Sequence, residues 1–329
     1  PPAKAQEIIS AGDVPLGTQG NLFGITGGEG TGKSNYVAAI VAGCICPAGA
    51  EVDTLGIQIT ANGRHKAVLL YDTEQSEVQL FKNVSNLLAR AKQPDKPDEL
   101  KAFCLTGMSR KERLNAIVQS MDKFYYQYGG IQLVVIDGIA DLVKSANDEA
   151  ESVAVIDELY RLAGIYNTCI LCVLHFVPNG LKLRGHLGSE LQRKAATILS
   201  IEKDDEPAQS VVKALKVRDG SPLDVPLMLF AWDKEAGMHV YKGEKPREEK
   251  EKRKERELVN VARDIFGRQT RITYIDLCEQ LQQVLDIKER TAKSYIRFMR
   301  ERDIITKDTA NQSCFVIGSY NLQRNASCP

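Results

Sequence analysis

Gly27-Gly-Glu-Gly-Thr-Gly-Lys-Ser34 fits the pattern GxxxxGK(S/T), and its flanks have the character that this pattern needs. The apolar run Leu22–Thr26 precedes it, and the helical run Asn35–Val41 follows it. Glycines let backbone N–H groups turn inward around a phosphate, where side chains would block the approach. A helix that starts directly afterwards adds the partial positive charge of its N-terminus. The sequence therefore predicts a strand, a phosphate-binding loop at residues 27–34, and a helix.

Two side chains of this loop have expected roles toward a nucleotide. Lys33 is placed to reach the β- and γ-phosphates of ATP, and Ser34 is placed to ligate Mg²⁺. ATP and Mg²⁺ are therefore the expected cofactors. The predicted binding residues are Gly27, Gly28, Glu29, Gly30, Thr31, Gly32, Lys33 and Ser34.

A second motif, Leu133-Val-Val-Ile-Asp137, is an apolar strand that ends in an acid. A rigid strand of this kind can deliver a carboxylate toward Mg²⁺. The signal is weak by itself, since many buried strands end in Asp. Together with the loop at 27–34, it predicts Asp137 as a metal ligand beside Ser34.

A third acid follows the run Val68-Leu-Leu-Tyr-Asp72-Thr-Glu74, in which Glu74 lies just past a predicted strand. A carboxylate there can orient and deprotonate the water that attacks the γ-phosphate. Asp72 is the local competitor for this role, and we expect it to face the sheet or to cap the turn. The alternative for Glu74 is a solvated acid at a strand end.

Between residues 20 and 232, short apolar runs alternate with longer amphipathic runs. The predicted strands are Leu22–Thr26, Ala67–Asp72, Ala102–Leu105, Leu133–Asp137 and Cys169–Leu174, and the predicted helices lie near residues 33–42, 76–91, 109–127 and 149–166. This alternation predicts an α/β fold with a mainly parallel sheet and helices on both faces.

Three β-rich runs, Ala196–Glu202, Ser210–Val217 and Val225–Trp232, follow with no predicted helices between them. We expect them to extend one edge of the sheet as antiparallel strands. The segment 46–66 is polar and contains several Gly and Pro residues, so we expect a hairpin or a loop insertion there.

The composition changes abruptly at residues 241–246. Residues 247–257 are almost all charged, with mixed signs, which is typical of a solvated helix or a linker. The amphipathic pattern resumes at Leu258. These features, and a length of 329 residues, predict two domains, 1–243 and 244–329.

The C-terminal part has the pattern of three helices and a short hairpin. The helices are expected at Leu258–Phe266, Thr273–Leu281 and Lys288–Arg302, with Thr273 as a possible N-cap, and the strands at Ile304–Thr306 and Cys314–Ile317. This order is the winged-helix pattern.

The third of these helices is basic. It carries Lys288, Arg290, Lys293, Arg297, Arg300 and Arg302 against Glu289 and Glu301. Residues 244–329 contain 18 basic and 14 acidic residues, whereas the whole chain is balanced at 43 of each. This polarity favours duplex DNA binding by residues 258–329 through a helix in the major groove. The alternative is a winged helix that contacts protein.

The loop at 27–34, the strand that ends Asp72-Thr-Glu74 and the strand that ends at Asp137 together resemble the RecA/DnaB ATPase superfamily. Over roughly residues 10–235, the chain is most similar to AAA-labelled RecA-like ATPases near the hexameric plasmid helicase RepA. The resemblance implies a RecA-like parallel-sheet P-loop NTPase core that assembles as a homo-oligomeric ring. We do not expect the N-terminal primase-interacting domain of DnaB-type helicases, because only 26 residues precede the loop.

The same resemblance implies further catalytic residues beside Lys33 and Glu74. His175 ends the strand after Asp137, where the family often places a polar sensor of the γ-phosphate; a satisfied buried histidine is the alternative. Lys216-Val-Arg218 is similar to the cation pair that ring-forming relatives insert into the neighbouring subunit's ATP site. The alternative for Lys216 and Arg218 is two solvated cations.

A Gly-rich segment, Val177–Ser189, carries Lys182, Arg184 and His186. In the family, loops at this point face the central channel and touch DNA, and a flexible backbone with several donors suits single-stranded DNA. An exposed polar loop without DNA contacts is the alternative.

Three functions remain open at this point. The favoured one is an ATP-dependent DNA motor, a RepA-like helicase or helicase loader of a plasmid or mobile element. The second is a RecA-like regulatory or recombination ATPase that binds DNA without unwinding it. The third is a nucleotide-gated DNA-binding switch with slow hydrolysis.

Hydropathy and cysteine usage favour a cytoplasmic protein with no membrane partner. No apolar run approaches the roughly 18 residues that a membrane span needs. The N-terminus, Pro1-Pro-Ala-Lys4, does not have the pattern of a signal peptide. The eight cysteines lie mostly inside apolar runs, which is typical of reduced, buried thiols.

Overall fold

The computed structural model describes residues 5–175, 185–204, 208–246, 250–267, 269–285, 287–309 and 311–320. The chain divides into two compact units, Pro1–Lys245 and Pro246–Pro329. No helix among the described residues has the length and apolarity that a membrane span requires.

The first unit contains a large sheet, a small sheet and the helices that cover them. Its strands are β1 (Glu7–Ala11), β2 (Val14–Thr18), β3 (Leu22–Gly27), β4 (Gln58–Ile59), β5 (Ala67–Asp72), β6 (Leu100–Cys104), β7 (Ile131–Asp137), β8 (Cys169–His175), β9 (Thr197–Lys203), β10 (Gln209–Val217), β11 (Leu227–Asp233) and β12 (Met238–Lys245). Its helices are α1 (Lys33–Ile45), α2 (Glu77–Arg90), α3 (Arg110–Tyr128), α4 (Glu149–Ile165) and α5 (Gly185–Lys194), with a 3₁₀ turn at Ile139–Leu142.

Nine strands form the central sheet, in the order β12-β11-β10-β9-β3-β8-β7-β5-β6. The six strands from β9 to β6 are parallel, whereas β10, β11 and β12 are antiparallel to their neighbours. The prediction of an α/β fold with a mainly parallel sheet is confirmed.

The expectation for the run Ala196–Glu202 is wrong in its strand direction. This run forms β9, which pairs parallel to β3 inside the sheet, with Ile198 opposite Gly24. The reason is α5, which lies between β8 and β9 and returns the chain to the opposite end of the sheet, as a parallel neighbour requires. The next two runs form the antiparallel strands β10 and β11, as predicted.

A second, three-stranded sheet has the order β2-β1-β4. The sequence analysis does not predict β1 or β2. Within residues 46–66, β4 pairs with β1, so that Gln58 lies opposite Ser10. The segment is therefore a loop insertion that adds a short strand to β1, and it does not form a hairpin of its own.

The central sheet is buried on both faces. Helices α1 and α2 pack over one face, on a core that includes Val68 and Val135. Helices α3, α4 and α5 pack over the other face, on a core that includes Leu69 and Val134. Consecutive residues of one strand belong to opposite cores because side chains alternate across a strand. This double burial explains the continuous apolar runs in the sequence.

Polar caps determine where the helices start. The Ser76 hydroxyl accepts a hydrogen bond from the backbone N–H of Gln79 at the start of α2. Ser109 and Glu112 form a capping box at the start of α3, and Asp148 caps α4. Each cap satisfies backbone N–H groups that have no partner inside the helix. These helices therefore begin within a few residues of the predicted positions.

The second unit has a core of its own. Its elements are α6 (Lys250–Phe266), β13 (Ile272–Thr273), α7 (Tyr274–Leu285), α8 (Glu289–Glu301), β14 (Ile305–Lys307) and β15 (Cys314–Ile317). The three strands form an antiparallel sheet of order β13-β15-β14. Leu258, Ile296 and Phe315 are buried in the shared core. The Thr273 hydroxyl accepts a hydrogen bond from the Asp276 N–H at 3.2 Å, so the predicted N-cap is confirmed.

Candidate active site

Four neighbouring parallel strands end side by side, and each ends in a residue of interest. The register places Gly27 of β3 opposite His175 of β8, and Asp72 of β5 opposite Asp137 of β7. Strands β8 and β7 are themselves neighbours. Open α/β sheets bind ligands at the carboxyl ends of their strands. The register therefore gathers a glycine, a histidine and two carboxylates at the ligand-binding edge.

Two glycines shape the loop at residues 27–34. A Cβ atom at Gly27 would lie 2.4 Å from the carbonyl oxygen of Ile201. Gly32 has a φ of +93°, and a Cβ atom there would lie 2.9 Å from the ring of Phe230. A positive φ is a conformation that other residues rarely adopt. Glycine at both positions lets the loop close on β9 and β11 and leaves the first N–H groups of α1 open to an anion.

Lys33 is held inside this loop, with 8% of its surface exposed. Its Nζ donates hydrogen bonds to the carbonyl oxygens of Gly27 at 3.1 Å and Gly28 at 2.7 Å. Burial lowers the pKa of Lys33, and the nearby carboxylates of Asp137 and Glu74 act in the opposite direction. The cation is thus positioned by backbone dipoles, and a phosphate would supply a full anionic partner.

The turn after β5 fixes Asp72 and directs Glu74. Asp72 is 2% exposed, and its Oδ1 accepts hydrogen bonds from the N–H groups of Glu74 at 3.0 Å and Gln75 at 2.8 Å. Burial raises the pKa of Asp72, while these two bonds lower it. Asp72 therefore caps the turn, as expected, and the more exposed Glu74 is the carboxylate that faces the cleft.

The same turn is tied to β7. The Thr73 hydroxyl donates hydrogen bonds to the carbonyl oxygens of Asp137 at 3.0 Å and Gly138 at 2.8 Å. Gly138 has a φ of +98°, and a Cβ atom there would lie 2.7 Å from Cγ of Glu74. Glu74 therefore uses the space that any side chain at position 138 would fill.

His175 faces Glu74 across the cleft. Its Nε2 lies 3.2 Å from Oε2 of Glu74, and about a third of each side chain is exposed, 36% and 34% respectively. The alternative of a satisfied buried histidine does not hold. His175 is instead positioned to orient the carboxylate of Glu74 and to contact a ligand in the cleft.

Asp137 lies among like charges. Burial, followed by the carboxylates of Asp72 and Glu74, raises the pKa of Asp137 to about 7, and Lys33 and His175 only partly oppose this shift. Three carboxylates thus face one buried lysine and one histidine. The group is short of positive charge, which suits a divalent cation.

Ser34 and Asp137, which both carry side-chain oxygen atoms, line the cleft. Within the described ranges, no three His, Cys, Asp or Glu side chains form a group that could hold a metal. Mg²⁺ in phosphate-handling sites commonly uses one or two protein oxygens together with phosphate oxygens and water. Ser34 and Asp137 fit that mode of binding.

Replacing Asp137 with asparagine is expected to stabilise the ligand-free protein at high pH. The raised pKa means that the folded chain disfavours ionised Asp137. The protonated carboxyl group therefore contributes to the free energy of unfolding below pH 4, and this contribution is lost as the pH rises through about 7. The gain in free energy of unfolding at pH 8 should be on the order of 2–4 kcal/mol, since one pKa unit corresponds to about 1.36 kcal/mol.

Urea unfolding of both proteins between pH 5 and pH 8, in metal-free buffer, measures this difference. Asp98→Asn, at an exposed aspartate outside the cleft lining, is the matched control. A variant that is equally destabilised at every pH would contradict the electrostatic explanation.

The cleft has a volume of about 630 Å³. Its lining residues are Glu29, Gly30, Gly32, Lys33, Ser34, Asn35, Glu74, Gln75, Asp137, His175 and His239. Asn35 directly follows Ser34, and Gln75 directly follows Glu74. Both residues would have been predicted if each motif had been extended by one position. The sequence pattern does not identify His239 as a cleft residue, because the sequence analysis does not predict β12.

Lys216 and Arg218 are not part of this cleft's lining. Lys216 Nζ donates hydrogen bonds to the carbonyl oxygens of Gln192 at 2.6 Å and Arg193 at 3.1 Å, and Arg218 donates to the carbonyl oxygen of Lys194 at 3.0 Å. These carbonyls end α5, where cations are favoured by the helix dipole. Within its own chain, the pair caps a helix.

The predicted DNA-contacting segment, Val177–Ser189, lies largely outside the described residues, and so do Lys182 and Arg184. Its last five residues are helical, because α5 begins at Gly185 and buries Leu187 against the sheet. His186 is exposed on that helix.

The sheet order, the loop at 27–34 and the acids at the strand ends are those of a RecA-like P-loop NTPase core. A family model described as an AAA domain matches residues 1–179, more than half of the chain, including Lys33, Glu74, Asp137 and His175. No curated protein matches the chain. On the extent of this match and the geometry of the cleft, the chain belongs to the AAA domain family.

Proposed function

We propose that this protein hydrolyses ATP with Mg²⁺ and couples hydrolysis to work on DNA, as a RepA-like replicative helicase or helicase loader of a plasmid or mobile element. The observation that carries the ATPase part is the convergence of Lys33, Glu74, Asp137 and His175 around one cleft at the carboxyl edge of the sheet.

Each residue of the cleft has a separate role in the proposed hydrolysis of ATP. The N–H groups at the start of α1 and Lys33 bind the β- and γ-phosphates, and Ser34 and Asp137 would hold Mg²⁺. When bound, Mg²⁺ offsets the negative charge of the phosphate oxygens. Glu74 orients a water molecule in line with the γ-phosphate and accepts its proton. His175 orients Glu74 and senses the γ-phosphate.

Replacing Glu74 with glutamine is expected to leave ATP–Mg²⁺ binding intact and to lower turnover by about 10²–10⁴-fold, the usual contribution of a general base. Steady-state phosphate release and ATP affinity measure the two effects. Glu77→Gln, three residues later on the exposed start of α2, is the matched control. If Asp72→Asn abolishes turnover and Glu74→Gln does not, the two acids have been assigned the wrong way round.

The ATP site is completed by a neighbouring copy of the chain in a homo-oligomeric ring. Lys216 and Arg218 serve the adjacent subunit's nucleotide, because no arginine of the same chain lines the described part of the cleft. In a ring, the pair would exchange the terminal carbonyls of α5 for phosphate oxygens. The hexamer found among RepA-like proteins is the proposed form.

DNA binding uses two parts of the chain. Single-stranded DNA contacts the 177–189 segment, and duplex DNA contacts the C-terminal unit, which we interpret as a winged helix. Helix α8 buries Ala292, Ile296 and Met299 and exposes its basic residues to solvent. This arrangement leaves the charged face of α8 open to a groove of DNA.

The duplex-binding prediction rests on cations of α8, and of its N-cap Lys288, that are not paired with an acid. Lys293 pairs with Glu289, and Arg297 pairs with Glu301, both on the same helix. Among the described residues, no ion pair involves Lys288, Arg290 or Arg300. Arg300 packs over the Phe315 ring, whereas Lys288 and Arg290 lie together at the start of α8.

Replacing both Lys288 and Arg290 with alanine is expected to lower duplex affinity about 10–100-fold at 0.1 M salt. The slope of log affinity against log salt should also fall by about 2, since each phosphate contact releases about 0.9 counterion. Fluorescence anisotropy with labelled duplex measures both. Arg110→Ala with Lys111→Ala removes the same charge from the exposed start of α3 and is the control.

Removal of residues 246–329 is the companion experiment, cut where the first unit ends. The truncated protein should keep basal ATPase activity and lose duplex affinity. Undiminished duplex binding would favour the protein-contact alternative for this unit.

ATPase and strand-displacement assays, each with and without single-stranded DNA, test the proposal as a whole. Unwinding that depends on ATP supports the motor. DNA-stimulated hydrolysis without unwinding would favour the regulatory or recombination ATPase. Nucleotide-dependent duplex binding with little turnover would favour the switch. The described cysteines are free thiols, which fits the cytoplasm as the proposed location.

A further inference from the structure

Four rings form a continuous row from the loop at 27–34 to the antiparallel edge of the sheet. Tyr36 of α1 contacts Phe230 of β11 at a centroid distance of 5.8 Å, Phe230 contacts His239 of β12 at 5.7 Å, and His239 contacts Trp232 at 5.5 Å. Tyr36 and Phe230 are fully buried, His239 lines the cleft, and Trp232 is 53% exposed. The row therefore runs from the core, through the cleft-lining His239, to the exposed ring of Trp232.

The strand pairing explains why His239 reaches the cleft. His239 lies opposite Trp232, and Tyr241 lies opposite Phe230, on two antiparallel strands. Trp232 and Phe230 lie two residues apart on β11, so their side chains share one face of the sheet. His239, directly opposite Trp232, therefore lies on the same face as the Phe230 ring that supports Gly32.

The backbone around His239 is anchored by polar contacts from elsewhere in the unit. Arg90 of α2 donates hydrogen bonds to the carbonyl oxygens of His239 at 2.5 Å and Asp53 at 2.8 Å. The Asp53 carboxylate accepts a hydrogen bond from the N–H of Tyr241 at 2.8 Å. The backbone at His239 is thus held in position before a ligand binds.

The His239 ring has a nitrogen atom that lacks a hydrogen bond. Nδ1 of His239 is buried and has no hydrogen-bond partner among the described residues. Burial, with the positive charges of Arg90 and Lys203, lowers the pKa of His239, which favours the neutral imidazole. A buried polar atom without a partner is costly, and such atoms commonly find their partner in a ligand or in water. Neutral imidazole can also pack against an aromatic base.

We propose that His239 forms the subsite for the purine base of the nucleotide whose phosphates bind at residues 27–34, with the imidazole turned about its Cβ–Cγ bond so that Nδ1 meets the edge of the base, and with the exposed Trp232 ring beside it. This inference rests on the proposed nucleotide-binding function. It adds a residue from β12 to a site that otherwise comes from the 27–34 loop and the parallel strands.

The test compares two ligands that share the triphosphate and differ in the base. ATP and inorganic tripolyphosphate, each with Mg²⁺, are titrated into the full chain by calorimetry. His239→Ala should weaken ATP binding roughly tenfold or more, the effect of one lost hydrogen bond with part of the ring contact. Tripolyphosphate affinity should change less than about twofold, because the phosphate contacts are untouched.

Two further variants separate the ring from its nitrogen and control for the substitution itself. His239→Phe keeps the packing against Phe230 and Trp232 but removes Nδ1, so it should fold and should also weaken ATP selectively. His65→Ala, at a 78% exposed histidine outside the cleft, should bind both ligands as the parent does.

Trp232 provides an independent readout, because it is the only tryptophan in the chain. ATP should change its fluorescence in the parent and much less in His239→Ala, whereas tripolyphosphate should change it little in either. Unchanged ATP affinity in His239→Ala, or an equal loss for both ligands, would overturn the base subsite. A parent chain that binds neither ligand would instead overturn the proposed nucleotide site.

Discussion

Replacing Lys33 with alanine is expected to abolish ATP hydrolysis and to weaken nucleotide binding at least roughly tenfold. A hydrogen bond to a charged group contributes about 1.5–3 kcal/mol, and 1.4 kcal/mol corresponds to a factor of ten in affinity. Lys33 is also the buried cation that opposes the raised pKa of Asp137. Its loss should favour protonated Asp137, so Mg²⁺ affinity should fall as well.

Phosphate-release kinetics and ATP titration measure the two effects. Lys33→Met keeps most of the buried side-chain volume, so it should fold like the parent and still fail to hydrolyse ATP. Lys82→Ala, at an exposed lysine on α2, is the matched control. Normal turnover in Lys33→Ala would reject the loop at 27–34 as the phosphate site.

Arg218→Ala is expected to lower turnover about 10³–10⁵-fold while nucleotide binding persists, since an arginine finger contributes that much to phosphoryl transfer. The finger acts on the neighbouring copy, so turnover per subunit of the parent should rise with protein concentration. Mixing Arg218→Ala with Lys33→Ala should restore part of the activity, because intact half-sites then meet at some interfaces.

Arg193→Ala is the matched control, since it removes another arginine from the same end of α5, where Arg193 pairs with Glu190 and is 58% exposed. Thermal unfolding should show that both variants fold. A chain that stays monomeric with ATP and DNA, and whose turnover per subunit does not depend on concentration, would leave Lys216 and Arg218 as helix caps only.

The parallel part of the fold could be predicted because the sequence patterns that indicate its strands and helices are local. Strands buried on both faces give continuous apolar runs, and the helices between them begin at polar caps such as Ser109. The direction of β9 was not predictable in the same way, since it depends on α5. Strand β12 resembles a linker, because an exposed edge strand tolerates charges such as those of Lys242 and Glu244.

In the candidate site, too, some residues are indicated by local sequence patterns and others depend on tertiary contacts. Lys33, Asp137 and Glu74 lie next to strong strand signals, so spacing alone located them. The contacts that arrange them are tertiary: His175 meets Glu74 through strand register, and Gly32 rests on Phe230 from a strand far along the chain. His239 reaches the cleft through the antiparallel pairing of β12 with β11, which no local pattern encodes.

Gly138 illustrates how mutational data on this cleft should be understood. A methyl group at this position would overlap the place that Glu74 occupies and would also strain the backbone. A systematic alanine scan should therefore score position 138 among the essential residues of hydrolysis, although its own atoms offer no acid, base or ligand to the reaction. Loss of activity therefore identifies the groups that react, and also the positions that must lack a side chain so that those groups can approach one another.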